Sequence, residues 1–459
     1  MRVLLVSCYE LGHQPLALAS PAAFLIAEGL EVECLDLAVE PLDVEQIERA
    51  DFVGISIPMH TAIRLGVKAA ERVRSINPDC HLCFYGLYAS LNDDYLLRKT
   101  ADSVIGAEFE GPLVELVKAL CGDADAVPVG VSTREHRSEP FLGKLQFLQP
   151  HRSSLPPLDK YAHLHSGDEF KTVGYVEASR GCAHECLHCP ITPVYGGRFR
   201  IVQRDVVRRD LAALVEMGAQ HITFGDPDFL NGPTHSLRIA RTLHEDFPEL
   251  SFDITTKVEH ILQHRGSLDE LRALGCIFIL SAVESVSDTI LRHLEKGHTR
   301  ADVVEALRLT RSAGISLRPS LLPFTPWTSM EDYLDLLDFV EEHELLHHVD
   351  PVQLAIRLLV PPGSSLLGTP QMEPFLGELD EQSFSYAWKH PDSRLDALHS
   401  EVSKLVEAAV QSREDAPTTF YRVKDLALSA AMGRRFSPWS ARPISQETPP
   451  PRLTESWFC

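Results

Sequence analysis

The sequence predicts an α/β protein with two successive parallel-sheet domains, followed by a helical C-terminal region. Short apolar, strand-like runs alternate with helical stretches over residues 1–121 and again over 171–368. Such alternation is typical of parallel sheets that are covered by helices. Residues 122–170 lie between them, contain five prolines and show no periodicity. They indicate a linker that packs on both neighbours.

The first domain contains five predicted strand-and-helix units. Its strands are expected at Val3–Ser7, Val32–Leu35, Phe52–Ile57, Leu82–Tyr85 and Ser103–Ile105, with helices such as Ala62–Ile76 and Pro112–Leu120. The short turns between these units favour a doubly wound parallel sheet. In such open sheets ligands bind beyond the carboxyl ends of the strands.

The second domain is predicted to be a partial (β/α)6 barrel. Its strands are expected at Val173–Ala178, His221–Gly225, Phe252–Thr256, Ile277–Ser281, Ile315–Ser320 and Val352–Leu358, with intervening helices such as Arg204–Met217, Arg238–Phe247 and Tyr333–Glu342. Chemistry in parallel barrels collects at the carboxyl ends of the strands. Residues 369–459 are predicted to be mainly helical, with an apolar stripe over Leu395–Val410 and a Pro-rich tail.

Composition and charge exclude several classes of function. The chain of 459 residues has a net charge of −22 and no basic stripe, so a nucleic-acid partner is not expected. No apolar run approaches the roughly 20 residues of a spanning helix, and the strand-like N-terminus lacks the cleavage site of a signal peptide. Ten cysteines in a chain of this length fit a reducing cytoplasm better than a disulfide framework. A cytoplasmic protein without a membrane partner is therefore expected.

Three cysteines form the most specific motif of the chain. Cys182, Cys186 and Cys189 follow the first strand of the predicted barrel with the spacing C-x3-C-x2-C. A [4Fe–4S] cluster takes one thiolate for each iron, so three thiolates on one loop leave the fourth iron open to a small chelating ligand. Zinc is the alternative, with His184 or His188 as further ligands, but structural zinc sites normally add a second ligand pair, and none follows here.

This loop resembles that of the radical S-adenosylmethionine (SAM) enzymes. In that family the open iron holds the amino and carboxylate groups of SAM, and reductive cleavage of SAM gives a 5′-deoxyadenosyl radical. The resemblance implies that SAM-binding residues follow the later strands; they are Gly225, Asp226, Asp228, Lys257, Glu284 and Ser285. A carboxylate is the natural acceptor for an ammonium group that iron holds. The alternative for Gly225-Asp226-Pro227-Asp228 is an ordinary Asx turn, and for Lys257 a solvent-facing side chain.

The first domain resembles the cobalamin-binding domain that precedes the barrel in one class of radical SAM proteins. The resemblance implies that the corrin meets the loops Ser7–Pro15, Pro58–Thr61, Gly86–Ala89 and Gly106–Gly111. The candidate contacts are Cys8, Gly12, Pro58, Met59, His60, Gly86, Leu87, Tyr88, Gly106 and Glu108. The D-x-H-x-x-G motif of cobalamin mutases is missing, so no histidine ligand to cobalt is expected, with His60 or Met59 as the alternative. A G-x-G-x-x-G dinucleotide motif is missing too.

These resemblances together imply a [4Fe–4S] cluster, SAM and cobalamin as cofactors, and a reductant such as flavodoxin or ferredoxin as a partner. The implied reaction is methylation of an unactivated carbon of an unidentified small-molecule or peptide substrate. Two alternatives stay open: a cobalamin-dependent radical rearrangement or ring-modifying reaction, and a non-catalytic cobalamin or Fe–S sensor. The cofactors would carry the chemistry, while the protein positions them and excludes water.

The end of the chain suggests a narrower resemblance. Tyr9–Pro15, Gly225–Pro233 and the final Pro451–Cys459 resemble the CUAEP/CCAEP-tail radical SAM subfamily. In that subfamily selenocysteine or cysteine follows the position of Cys459, so the resemblance implies a selenoprotein read short at a UGA codon. Cys459 would then be a redox candidate on a flexible tail. The alternative is an incidental frayed terminal residue.

Overall fold

The computed structural model describes residues 1–123, 127–433 and 449–455. Two separate sheets organise them, one of six strands and one of seven. No helix within the described ranges is both long and apolar enough to cross a bilayer.

The N-terminal domain is a doubly wound sheet, as predicted. Its strands are β1 Arg2–Ser7, β2 Glu31–Asp36, β3 Phe52–Ser56, β4 His81–Tyr85, β5 Ser103–Ile105 and β6 Val131–Thr133, in the order β2-β1-β3-β4-β5-β6. Its helices are α1 Leu16–Ala27, α2 Val44–Arg49, α3 His60–Ile76, α4 Leu87–Leu91, α5 Asp93–Lys99 and α6 Glu110–Lys118. The first five strands run parallel. Their near-continuous burial, complete over β3, is what a sheet with helices on both faces requires.

Residues of the linker contact both domains, and the linker also contributes strands that the sequence did not indicate. Strand β6 adds to the first sheet antiparallel to β5. Strand β7, His163–Ser166, pairs antiparallel with β8, Glu169–Val176, the first parallel strand of the second domain. Short strands without clear alternation were not recognisable, because their pairing is decided by neighbours that are distant in sequence.

The second domain is a curled, partial barrel. Strands β8, β11 His221–Phe224, β12 Ser251–Thr255, β13 Cys276–Glu284 and β14 Ser316–Leu321 run parallel in that order, while β9 Ser179–Gly181 and β10 Phe199–Ile201 form a hairpin. The helices are α7 Thr192–Tyr195, α8 Arg204–Glu216, α9 Pro233–Asp246, α10 Val258–Gln263, α11 Leu268–Ala273, α12 Asp288–His293, α13 Arg300–Ser312 and α14 Met330–Glu342. Capping boxes with Thr299 and Ser329 begin α13 and α14.

The sixth predicted barrel strand, Val352–Leu358, is reduced to a single parallel bridge between Phe324 and Arg357. A 3₁₀ turn occupies Pro351–Ala355 instead. Proline at the first turn position presets the turn and has no N–H to donate to a neighbouring strand. The side chain of Arg357 turns away from the barrel, stacks on the Trp388 ring at 3.6 Å and pairs with Asp396.

The C-terminal region is helical, as predicted, with one addition. Helices α15 Ser393–Ser412 and α16 Ala416–Met432 follow a hairpin of β15 Leu376–Asp380 and β16 Ser385–Trp388. The last described segment carries β17 Arg452–Leu453, which pairs with β7 at the edge of the barrel sheet. The C-terminal segment therefore returns to the side of the barrel that faces the N-terminal domain.

Candidate functional site

The cysteine loop leaves the hairpin strand β9 and is fixed by backbone contacts. Gly181 has a φ of 72°, and a Cβ there would lie 2.5 Å from the carbonyl oxygen of Arg198, so only glycine fits. Within the loop, the Cys189 amide donates to the Cys186 carbonyl at 3.1 Å. Outside it, Oδ1 of Asn231 accepts from the Ala183 amide at 3.2 Å and lies 3.9 Å from Sγ of Cys182.

The three thiols lie farther apart than the ligands of a single ion. Among the described residues, one group of three metal-ligating side chains has all its ligand atoms within 4.8 Å of one another. The three cysteines do not belong to that group. Four ligands of one zinc ion need to be that close, whereas cluster ligands bind different irons. Burial raises the pKa of Cys189 to about 12 and also raises that of Cys182. Bound iron would supply the positive charge that keeps such thiols ionised.

The group that does converge is His184, Asp228 and His260, next to the cysteine loop. Nδ1 of His260 is 2.8 Å from Oδ2 of Asp228, and Nε2 of His260 is 3.2 Å from Nε2 of His184. The other oxygen of Asp228 accepts from Thr256 Oγ1 at 2.6 Å and from the Leu230 amide at 3.1 Å. Asp228 therefore connects the second and third strand exits, and its Oδ2 lies 3.8 Å from Nε2 of His184 in the loop.

Asp226, expected to bind SAM, lies in the cavity wall at the end of β11. Both its oxygens are engaged, Oδ2 by the Ala178 amide at 2.9 Å and Oδ1 by the Ser179 hydroxyl. Burial raises the pKa of Asp226 to about 7, although these two hydrogen bonds act against the rise. Gly225 also lines the cavity, and a Cβ there would lie 2.0 Å from the Tyr175 hydroxyl oxygen. A role for these residues with SAM stays a prediction.

Glu284, Lys257 and Ser285 come from the exits of β12 and β13. Glu284 has a φ of 62°, and its Oε1 lies 3.3 Å from both Lys296 Nζ and His188 Nε2. Burial would raise the pKa of Glu284, but Lys296 and His188 hold it at about 2. Lys257 Nζ lies 3.3 Å from Glu259 Oε2, while Ser285 Oγ accepts from the Ser287 amide and shapes the turn. The buried Lys296 was not among the predicted site residues.

A cavity of about 220 Å³ lies between the two domains. The N-terminal domain contributes the loops that follow β1, β3, β4 and β5, and the barrel contributes β8, the cysteine loop and the exit of β11. A second cavity of about 390 Å³ continues into the barrel and shares lining residues such as His13, Tyr175 and Ile191. The carboxyl ends of both parallel sheets therefore open onto two adjoining cavities.

The residues expected to meet cobalamin divide into two groups. Six of them line these cavities: Pro58, Met59, His60, Gly86, Leu87 and Tyr88. The other four are not in the cavity lining. Cys8 packs in the apolar core, Gly12 lies against Glu455 of the C-terminal segment, Gly106 lies against Ser90, and the Glu108 carboxylate accepts from the Tyr195 hydroxyl. Sequence position could not separate these groups, because side-chain direction within a loop is set by tertiary contacts.

His60, an alternative ligand to cobalt, is engaged elsewhere. Its Nε2 lies 2.6 Å from the carbonyl oxygen of Ser383 in the β15–β16 loop, and its ring meets Tyr88 edge-on. His13 instead lines both cavities and stacks on Tyr175 at 4.6 Å. Burial lowers the pKa of His13 to about 4, so its imidazole is neutral at pH 7.

Buried acceptors at the domain interface fit a cofactor that is rich in amide groups. Glu10, Glu108 and Glu110 each have a buried carboxylate oxygen without a hydrogen-bond partner in the described residues, and so has the Ser56 hydroxyl. Orphaned buried acceptors cost stability unless a ligand or water satisfies them. The amide side chains that surround a corrin ring can donate to the Glu108 and Glu110 oxygens and, through their carbonyl groups, accept from a protonated Glu10. Glu10 and Ser56 line the cavity directly.

Arg180 joins the two domains at this interface and was not predicted. Its guanidinium pairs with Glu110 at 2.7 Å, Glu177 at 2.7 Å and Glu108 at 3.6 Å. Burial would lower its pKa, but the three carboxylates raise it. The position of Arg180 directly before Gly181-Cys182 could have marked it as a site residue. Its side chain connects the cysteine loop to the cobalamin-type domain.

Comparisons with known proteins agree with this architecture. The radical SAM superfamily profile matches residues 176–340, and the B12-binding domain profile matches residues 2–117. An uncharacterized methyltransferase of Pyrococcus horikoshii is 24% identical over 347 residues, which are 72% of this chain and 74% of the relative. The hopanoid C-3 methylase of Methylococcus capsulatus is 25% identical over 324 residues, which are 68% of this chain and 62% of the relative.

Solved structures share the fold. The cobalamin-dependent SAM radical enzyme OxsB superposes with a TM-score of 0.71 at 16% identity, covering 89% of this chain and 67% of its own. The radical SAM methyltransferase TsrM of Kitasatospora setae superposes with a TM-score of 0.70 at 17% identity, covering 96% of each chain.

A three-cysteine loop that faces a cobalamin-type domain across adjoining cavities is the arrangement of one class of enzyme. The two domain matches place the chain in that class: it is a cobalamin-dependent radical SAM enzyme, with a [4Fe–4S] cluster, SAM and cobalamin as its cofactors. The narrower resemblance to the CUAEP/CCAEP-tail subfamily stays a prediction. Cys459 lies outside the described residues.

Proposed function

We propose that this enzyme is a methyltransferase that acts on an unactivated carbon. The observation that carries the proposal is the pair of adjoining cavities, because the loops of the B12-binding domain and the cysteine loop both line them. The names of the relatives support it, since they include a methyltransferase and a hopanoid methylase. When bound, the cluster and SAM supply a carbon-centred radical, and cobalamin supplies the methyl group.

The chain's own residues would position these cofactors and keep water out. Cys182, Cys186 and Cys189 would hold the cluster, and Asn231 accepts a hydrogen bond from the Ala183 amide of their loop. Aromatic and aliphatic side chains such as Tyr175, Ile191 and Tyr195 line the passage between the domains. An apolar, enclosed passage protects a reactive carbon radical from solvent. An electron donor such as flavodoxin or ferredoxin belongs to this proposal.

A ring-forming or rearrangement reaction is the second candidate. The anaerobic magnesium-protoporphyrin IX monomethyl ester cyclase of Synechocystis is 24% identical over 372 residues, which are 76% of this chain and 70% of the relative. The mass of the product separates the two candidates, since methylation adds one CH2 and a rearrangement adds nothing.

The proposal is tested with enzyme reconstituted anaerobically with iron, sulfide and cobalamin. With SAM and a strong reductant, the wild-type enzyme should form both 5′-deoxyadenosine and S-adenosylhomocysteine. Cys186→Ala should lose the visible absorbance of the cluster and at least 100-fold of 5′-deoxyadenosine formation, because the cluster loses one of its three protein ligands.

Cys276→Ala is the matched control, because Cys276 is a buried cysteine at the start of β13 and lies away from the loop. It should keep the cluster spectrum. Enzyme that binds both cofactors yet forms neither SAM product with any reductant would refute the proposed function.

A further inference from the structure

The inner cavity of the barrel has charged, polar and apolar side chains in its wall. Asp253, Arg318, Asp350 and Glu455 line it together with apolar side chains such as Phe278 and Leu280. Arg318 lies three residues before the end of β14, about 10 Å below the strand exits at 3.3 Å per residue. The aminocarboxylate of SAM is expected at the exits, beside the cysteine loop. Arg318 therefore faces a part of the cavity below the expected position of SAM.

Arg318 is a buried cation with an incomplete set of partners. Its side chain is 7% exposed, and Nη2 lies 3.2 Å from Oδ2 of Asp350. Nη1 is buried and has no hydrogen-bond partner among the described residues. A guanidinium remains charged inside a protein and presents a planar fork of donors that matches a carboxylate. An unused buried donor of this kind is costly unless a ligand pairs with it.

Carboxylates outnumber this single guanidinium in the cavity wall. Asp253 uses Oδ1 to accept from the Thr223 hydroxyl at 2.7 Å, with His221 Nε2 at 2.9 Å. Glu455 uses Oε1 to accept from the Tyr9 hydroxyl at 3.0 Å. A purely anionic ligand would meet repulsion from Asp253, Asp350 and Glu455. A purely cationic ligand would leave Arg318 Nη1 unpaired.

The C-terminal segment is part of this wall. Strand β17 pairs with β7, Leu453 packs beside Leu164 and Phe278, and Leu453 and Glu455 both line the cavity. Glu455 also lies against Gly12 of the first cobalamin-type loop. The segment therefore supplies one apolar and one acidic contact where the inner cavity meets the N-terminal domain.

From these charges we propose that the inner cavity binds a small molecule with a carboxylate and an amine on an apolar body, such as an apolar α-amino acid. Its carboxylate pairs with Arg318, and its ammonium group faces Asp253 and Glu455. The inference rests on the proposed function, because it assigns this cavity to the substrate.

The test is equilibrium binding to the full-length holoenzyme with cluster, cobalamin and SAM present. The probes are L-leucine, L-methionine, L-phenylalanine and L-tryptophan, each compared with its amide and its N-acetyl form by isothermal titration calorimetry. At least one free amino acid should bind, and blocking either end should weaken binding at least tenfold. Arg318→Gln should remove the preference for the acid over the amide, and Arg318→Lys should keep part of it.

Glu455→Gln is the second variant, because Glu455 is only partly buried and its loss should not prevent folding. It should weaken binding of the free amine several-fold and leave the N-acetyl form unaffected. Glu28→Gln, which removes an exposed partner of Lys118, is the matched control and should change nothing. Normal turnover of SAM with no binding of any free amino acid overturns this inference and leaves the proposed function standing. Equal binding of the free and blocked forms also overturns it.

Discussion

Glu10 is a buried ionisable group at the domain interface, and its protonation links stability to pH. Glu10 is 9% exposed, and its Oε1 accepts from the amides of Leu16 and Ala17 at the start of α1. Burial raises its pKa to about 8, with the charge of Glu177 as a second cause. The folded protein therefore keeps a proton on Glu10 at a pH where the unfolded chain has lost it.

The sign of the effect on stability follows from linkage. The Glu10 carboxyl has a pKa near 4.5 in the unfolded chain and about 8 in the folded protein. The contribution of Glu10 to the free energy of unfolding is fully present below pH 4.5. It is lost as the pH rises to 8, by at most about 1.4 kcal/mol per pH unit. Glu10→Gln keeps the accepting oxygen and cannot ionise. Without cobalamin, the variant should gain in melting temperature relative to wild type between pH 5 and 8. If the melting temperatures of variant and wild type changed equally with pH over this range, the raised pKa of Glu10 would be contradicted.

At the scale of elements, the hairpin β15–β16 docks a part of the C-terminal region on the cobalamin-type domain. Phe384 is 4% exposed within the N-terminal core and meets the Tyr95 ring edge-on at 5.0 Å. Glu381 pairs with Arg98, and the Ser383 carbonyl lies against His60. The hairpin loop is thus anchored mainly by one aromatic side chain.

Phe384→Ala should release this loop from the N-terminal domain. Replacing a buried phenylalanine by alanine lowers the free energy of unfolding by about 3 to 5 kcal/mol when the surroundings stay rigid. The loss should be smaller here because the loop can detach. Limited proteolysis should cut residues 381–384 at least tenfold faster in the variant. Leu379→Ala, at an exposed position of β15, is the control and should be cut at the wild-type rate. Equal cutting of both variants would mean that the loop is held by other contacts.

At the scale of the whole molecule, a buried ion pair connects the linker to both domains. Arg152 and Asp210 are each 2% exposed at the side chain, with 2.5 Å between Nε and Oδ1. The same guanidinium donates to Gln14 Oε1 of the N-terminal domain at 2.9 Å and to the Tyr175 carbonyl of the barrel at 2.7 Å. One side chain therefore holds the linker, the first loop and the first barrel strand together.

Arg152→Met should destabilise the protein by about 3 to 5 kcal/mol, because Asp210 is left as an unpaired buried charge. The double variant Arg152→Met with Asp210→Leu should recover a large part of this loss, since the uncompensated charge is gone. Calorimetry measures the thermal unfolding of the single and the double variant. The single variant should unfold in two transitions, because its domains are no longer coupled. Arg241→Gln, which removes an exposed pair with Glu270, is the control. A double variant as unstable as the single one would show that lost packing, rather than charge, is responsible.

The sequence by itself determined the order of the domains, the doubly wound sheet, the partial barrel and the position of the cysteine loop. These features depend on local patterns: apolar runs that form β1 to β5, and thiols spaced closely along one loop. The sixth barrel strand and the strands β6, β7 and β17 depended on distant pairing partners, so local pattern did not fix them.

Only the tertiary structure decided which loop residues face the cavity. Met59 and Tyr88 lie in the cavity wall, whereas Cys8 packs in the apolar core. The sequence predicts a contact with cobalamin for all three. The tertiary structure also brought Arg180, Lys296 and Arg318 to the site from three separate stretches of the chain. The sequence shows these charged side chains but not their buried partners, because the cost of burying a charge and its compensation arise only when the domains come together.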